Sequence, residues 1–159
     1  MKQNIELAAS VIKQLRKSGK TLAVAESLTG GGLGAALTEV SGSSEVFLGG
    51  MTTYSDASKT KLLEVPKRLI TKHTAVSEEV AKAMAESVRQ IFKSDFAIST
   101  TGVAGPGKAY GKSAGTVWIG IATKKASIAI ELSLAGDRAT VRKATIESAL
   151  ATFSRILIS

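Results

Sequence analysis

The stretch from Ser41 to Lys59, SGSSEVFLGGMTTYSDASK, is unusually rich in groups that could act as nucleophiles or bases. Ser43 and Ser44 read as loop, Tyr54 and Ser55 as a strand end, and Lys59 as part of the helix that follows. Ser55 is suited to cap that helix, which sets Lys59 in its opening turn. A loop serine facing a partly buried lysine would make a Ser-Lys pair. Serine needs such a base because its hydroxyl is a poor nucleophile at neutral pH. The lysine can serve only if its pKa falls from about 10.4 to about 7–8. Burial and neighbouring cations must supply that shift, roughly 4 kcal/mol. Spacing alone does not settle the matter, because Ser-rich loops are usually turns and helix lysines are usually solvated.

Composition narrows the other chemistries. The chain has 159 residues, 44% of them hydrophobic and 21% charged, which suits one globular domain. It contains no Cys and a single His, His73. A thiolate nucleophile and a Cys-based metal site are therefore excluded, and neither a His-rich metal centre nor a Ser-His-Asp triad is expected. His73 itself reads as structural or solvent-facing. Lys and Arg number 21 against 13 Asp and Glu, a net charge of +8 that favours an anionic partner. Aromatic residues make up only 4% and are scattered, which speaks against a base-stacking platform. The opening MKQNIELAAS is too polar for a signal peptide, and no apolar run would span a bilayer. A soluble cytoplasmic protein is expected.

Two glycine-rich segments invite a phosphate. Gly30 to Ala35, GGGLGA, fits the permissive form of the dinucleotide fingerprint. Glu26 to Thr29 separate it from the preceding strand, however, and no acidic residue follows at the expected place. The segment suits either close helix–sheet packing or a helix end that meets an anion. Gly102 to Ala109, GVAGPGKA, is one residue short of a P-loop, because Ala109 cannot supply the magnesium hydroxyl. A strand rather than a helix follows it.

These residues must be positioned by alternating helices and strands. Helical spacing runs from Gln3 to Lys17, and Thr21–Ala25 reads as a buried strand before the ESLTGGGLGAALTEV turn and helix. Val46–Tyr54 holds a second strand, weakened or bent at Gly49-Gly50. Ser55–Glu64 is helical, and Val65–Val76 is irregular or briefly helical around Pro66. Ser77 caps a helix through Phe92, and Asp95–Thr100 is a strand. Thr116–Ala122 and Ala126–Leu134 form a hairpin, and Asp137 caps a long final helix. Early alternation implies parallel strands, and the hairpin adds antiparallel ones. The expected fold class is α/β, a single-domain α/β/α sandwich over residues 1–159 with a mixed parallel/antiparallel sheet.

From about Ile5 to Leu157 the sequence resembles the C-terminal domain of the competence/damage-inducible CinA proteins, a domain that also occurs alone as a nicotinamide-nucleotide amidohydrolase. The resemblance rests on AESLTGG (25–31), GSS (42–44) with Phe47 and the following GG, TYSDASK (53–59), HTAVSEE (73–79), TTGVAGPG (100–107), GTVWI (115–119) and GDRATVR (136–142), in one order along the chain. It implies hydrolysis of the carboxamide of nicotinamide mononucleotide to nicotinate mononucleotide and ammonia, without a metal or cofactor. It implies Ser44 as nucleophile, Lys59 as its base and Tyr54 as an aid to proton movement. Ser27 is the alternative nucleophile, since it too lies at a strand end in the strongest motif. Ser27, Thr29, Gly30, Gly31, Thr101 and Gly102 are implied as pocket residues, and Arg138 or Arg142 as contacts to a ligand phosphate or carboxylate.

The implied partner is the nucleotide substrate, with self-association into a homo-oligomer and neither membrane nor nucleic acid. The chain departs from the family at Leu28, where Cys is common, and at Gly32, where a bulky apolar residue is common. It departs also in the GKSAG loop after Gly107 and at Ala135. These leave the catalytic candidates intact but bear on substrate shape and turnover. Two rival readings stand beside the enzyme: a nucleotide-binding or regulatory domain without turnover, and a nucleic-acid-binding protein suggested by the +8 charge.

Overall fold

The computed structural model describes residues 2–159. Five strands form one mixed sheet: β1 (Leu22–Glu26), β2 (Phe47–Thr52), β3 (Phe96–Gly102), β4 (Thr116–Ala122) and β5 (Ser127–Ser133). Their order is β2-β1-β3-β4-β5. β1 runs parallel to β2 and β3, whereas β4 and β5 pair antiparallel, as the late hairpin implies. Six helices cover the sheet: α1 (Lys2–Ser18), α2 (Gly32–Thr38), α3 (Asp56–Leu63), α4 (Lys67–His73), α5 (Glu78–Phe92) and α6 (Arg138–Ile158). The chain is thus a mixed α/β fold with a helical layer on each face of the sheet.

The period of two along β1 decides what each face receives. Leu22 and Val24 join a core with α1, α2 and α6, including Leu15, Leu33, Leu37, Leu150 and Phe153. Ala23 and Ala25 join the opposite core with Val80, Met84 and Val88 of α5. That second face is built from small residues because α5 lies close against it. A Cβ on Gly120 would stand 2.4 Å from the Ala81 carbonyl oxygen and 2.4 Å from Ser99 Oγ.

Two local details resolve alternatives that the sequence reading leaves open. The stretch around Pro66 forms a regular short helix, α4, with Pro66 at its N-cap, where the missing N–H costs little. The β2 pairing shifts register beside Gly49, so the glycine pair bends the strand without ending it. The outer edges of the sheet are β2 and β5, and the loops after β1, β2 and β3 all open at its carboxyl edge. Among the described residues no helix is long and apolar enough to cross a membrane.

Candidate active site at the carboxyl edge of the sheet

Beyond β1 the alternation continues for two more residues, with opposite results. Glu26 follows Leu22 and Val24 towards α2, and Ser27 follows Ala23 and Ala25 towards α3 and α5. Ser27 is 7% exposed. Its N–H donates to the Thr100 carbonyl at 3.0 Å, which extends the β1–β3 pairing by one bond.

Lys59 arrives from the other side. Ser55 caps α3 by accepting the Ser58 N–H at 3.1 Å, while Ser58 Oγ accepts the Ser55 N–H at 3.1 Å. This reciprocal cap fixes the start of α3. Helical side chains lean towards the helix N-terminus, so Lys59 reaches back over that cap. Its Nζ lies 3.0 Å from Ser27 Oγ and 2.9 Å from the Thr53 carbonyl oxygen. Lys59 is 1% exposed, among the largest fully buried side chains of the protein. Burial holds its pKa below the ordinary lysine range, against a smaller opposing pull from Asp56. A neutral amine 3.0 Å from a serine hydroxyl can accept that hydroxyl's proton.

The pair sits in a cleft of about 620 Å³ including its open mouth. Leu28, Ala75, Val76, Val103 and Ala104 give it apolar walls, and Thr101 and Gly102 lie on the same lining. Thr101 Oγ1 donates to the Ala75 carbonyl at 2.7 Å, which ties the segment before α5 to β3. Tyr54 and Arg138 stand at the mouth. Arg138 donates to Tyr54 Oη at 2.7 Å and to the Gly105 carbonyl at 2.6 Å, leaving further guanidinium N–H groups for an anion.

The structure therefore brings together Ser27, Tyr54, Lys59, Thr101, Gly102 and Arg138, and leaves the other candidates elsewhere. Ser44 is exposed in a single 3₁₀ turn, Ser43–Glu45, before β2 begins. Lys59 follows the end of β2, so the strand separates them by about 20 Å. Thr29 is fully buried behind the cleft, its hydroxyl 2.8 Å from that of Thr100. Gly30 and Gly31 do not line the cleft, and the anion site they suggest is already filled. The Glu26 carboxylate accepts the N–H groups of Gly31, Leu33 and Gly34 at 3.1, 3.0 and 2.8 Å. Arg142 does not line the cleft and donates to the carbonyls of Leu28 (2.9 Å) and Thr29 (3.1 Å). His73 is half-buried, its Nδ1 3.4 Å from a Glu79 carboxylate oxygen.

One further residue shapes the mouth without a signal in the sequence. Tyr110 lines the cleft and donates its hydroxyl to Asp56 at 3.1 Å. Partial burial and the Asp56 carboxylate raise its pKa. Tyr110 also takes a left-handed backbone conformation (φ 54°), uncommon for a bulky residue. No local pattern announces it, because it lies in the irregular loop between β3 and β4.

Residues 4–157 match the family model described as the CinA C-terminal domain. A Streptococcus agalactiae protein named as competence-damage inducible is 46% identical over 140 residues, 87% of this chain and 33% of the relative. A Thermoanaerobacter pseudethanolicus protein of the same description is 44% identical over 154 residues, 96% of this chain and 37% of that one. The chain thus spans about a third of the length of these relatives. Among solved structures, the competence damage-inducible protein A of Klebsiella pneumoniae superposes with a TM-score of 0.95 at 34% identity, covering 98% of this chain and 97% of that one. The competence/damage inducible protein CihA of Agrobacterium tumefaciens gives a TM-score of 0.93 at 32% identity, with 99% and 96% covered.

Proposed function

Because the chain belongs to the CinA C-terminal domain family, we propose that it is an amidohydrolase that converts nicotinamide mononucleotide to nicotinate mononucleotide and ammonia, with Ser27 as nucleophile. The observation that carries this reading is the buried Lys59 Nζ at 3.0 Å from Ser27 Oγ in the floor of a cleft. Neutral Lys59 takes the Ser27 proton as Oγ attacks the carboxamide carbon. The ammonium of Lys59 then returns that proton to the departing nitrogen, and ammonia leaves. Water, deprotonated by the same amine, attacks the acyl-serine and releases the nicotinate carboxylate, restoring Ser27.

Tyr54 accepts from Arg138 and keeps its own proton to donate at the mouth, which suits a part in protonating the leaving group. The apolar walls at Leu28, Val76 and Val103 suit a flat pyridine ring. Arg138, exposed at the rim, suits the phosphate end of the ligand. The test is incubation of the protein with nicotinamide mononucleotide, followed by mass analysis of the product and an ammonia assay. The acid and ammonia should form in equal amounts. Release of free nicotinamide would mean glycosidic cleavage and the wrong reaction class. Ligand binding without ammonia would favour a regulatory domain that keeps the pocket without turnover.

A further inference from the structure

The turn that carries Ser27 is gripped by two oppositely charged side chains that do not line the cleft. Glu26 is 2% exposed and binds three consecutive-turn N–H groups at the start of α2. Arg142 spans two successive carbonyls, those of Leu28 and Thr29. Between them the turn closes on itself, as the Gly30 N–H donates to the Ser27 carbonyl at 3.0 Å. In a planar trans peptide the carbonyl and the following N–H point in opposite directions. The Leu28 N–H therefore faces away from Gly30, and among the described residues no acceptor takes it. Leu28 is 3% exposed and lines the cleft beside Ser27. The Thr29 N–H of the same turn also has no acceptor among the described residues, but Thr29 does not line the cleft, and the residue after a nucleophile is a recurrent oxyanion donor.

We propose that the Leu28 N–H is an oxyanion donor and that Glu26 and Arg142 are positioning residues that aim it. This rests on the Ser27 acyl-transfer reading above. Neither side chain lines the cleft where the ligand would sit. Glu26 satisfies the α2 N-terminus, and Arg142 serves as a bidentate backbone clamp that a lysine, with its single nitrogen, cannot reproduce. Their contribution is to transition-state geometry, so it falls on kcat and not on substrate affinity.

The experiment compares wild type, Arg142→Lys and Glu26→Gln with nicotinamide mononucleotide as substrate. In parallel, phosphonylation by a fluorophosphonate, which forms an Oγ–P bond at Ser27 and expels fluoride, is followed by intact mass. Both variants should lose about 10–100-fold in kcat with KM nearly unchanged, and should phosphonylate more slowly by a similar factor. The pH-rate limb should stay in place, because Lys59 is untouched. If Arg142→Lys instead raises KM at constant kcat, Arg142 reads the ligand anion and the proposal is overturned. Unchanged kcat and labelling in both folded variants overturn it equally, and a Glu26→Gln chain that does not fold leaves Arg142→Lys to decide. Failure of the acyl-transfer reading looks different: wild type itself would release no ammonia, and its Ser27 would not be labelled.

Discussion

Ser27 and Ser44 each sit at one end of a neighbouring strand, yet only one of them can meet a base. Ser44 precedes β2, at the amino edge of the parallel strands, exposed in a 3₁₀ turn. Ser27 follows β1, at the carboxyl edge, where the segments after β2 and β3 also emerge. In parallel α/β sheets the carboxyl edge is where loops from several strands converge. Distance along the chain is misleading here, because 15 residues separate Lys59 from Ser44 and 32 separate it from Ser27. The direction of the strand decides, and sequence proximity does not.

The sharpest way to break this contrast is to remove each hydroxyl in turn. Ser27→Ala should lower kcat for amide hydrolysis by at least about 10³-fold, and Ser44→Ala should leave it close to wild type. The reverse pattern in steady-state assays would return the nucleophile to the amino edge. Lys59→Met should cost about 10²–10⁴ in rate, and combining it with Ser27→Ala should add little, because the pair acts as a unit.

The same substitution tests the burial of the amine through stability. Folding lowers the Lys59 pKa from its ordinary 10.5. Between the lowered value and 10.5 the unfolded chain holds a proton that the folded chain has released. Stability therefore rises with pH across that window, and Lys59→Met should flatten the rise and stabilise the protein at neutral pH. Denaturant titrations at a series of pH values read this directly. In the active protein, the rate should climb with pH as Lys59 loses its proton, with the midpoint below the ordinary lysine range.

Smaller effects sharpen the contrast at the cleft mouth. Arg138→Ala should weaken use of nicotinamide mononucleotide about tenfold to a hundredfold in kcat/KM, the worth of a charge-assisted hydrogen bond. It should harm nicotinamide riboside, which lacks the phosphate, much less. Equal losses on both substrates in competition assays would mean that Arg138 does not read the phosphate. Tyr110→Phe removes only the exposed bond to Asp56, so KM should change by no more than about fivefold.

Much of this was legible in the sequence, and the failures have physical causes. Apolar spacing located the helices and strands, including the terminal hairpin, where the Thr123 N–H donates to the Ala126 carbonyl at 2.8 Å. Ser55, Ser77 and Asp137 cap their helices as their side chains allow, each accepting the N–H three residues on. Lys59, Tyr54 and Arg138 were identified as site residues and do share one cleft. Ser27, read as a pocket residue and the alternative nucleophile, was within reach of first place by the same reasoning. Strand parity from Ala23 and Ala25 aims it at the face that Lys59 approaches, and the carboxyl-edge rule sets Ser44 apart. Glycine spacing misled because it marks a tight helix start without saying what fills it, and here Glu26 does. The Arg142 contacts and the place of Tyr110 depend on long-range geometry and have no local signature.

The tight seat of α5 on the sheet governs how the pocket can change over generations. Where a Cβ on Gly120 would meet the Ala81 backbone at 2.4 Å, there is no room for a larger side chain without displacing a whole helix. Enlarging a residue in such packing costs about 1–3 kcal/mol or more. Selection thus finds the sheet beneath α5, which backs the cleft, closed to variation. The segment between β3 and β4 is open to it, because doubling the length of a surface loop costs only about 0.6 kcal/mol in closure entropy. Tyr110 and its neighbours are the adjustable rim of a cleft backed by this tight packing, so descendants with altered ligand preference should differ first in the length and residues of that loop.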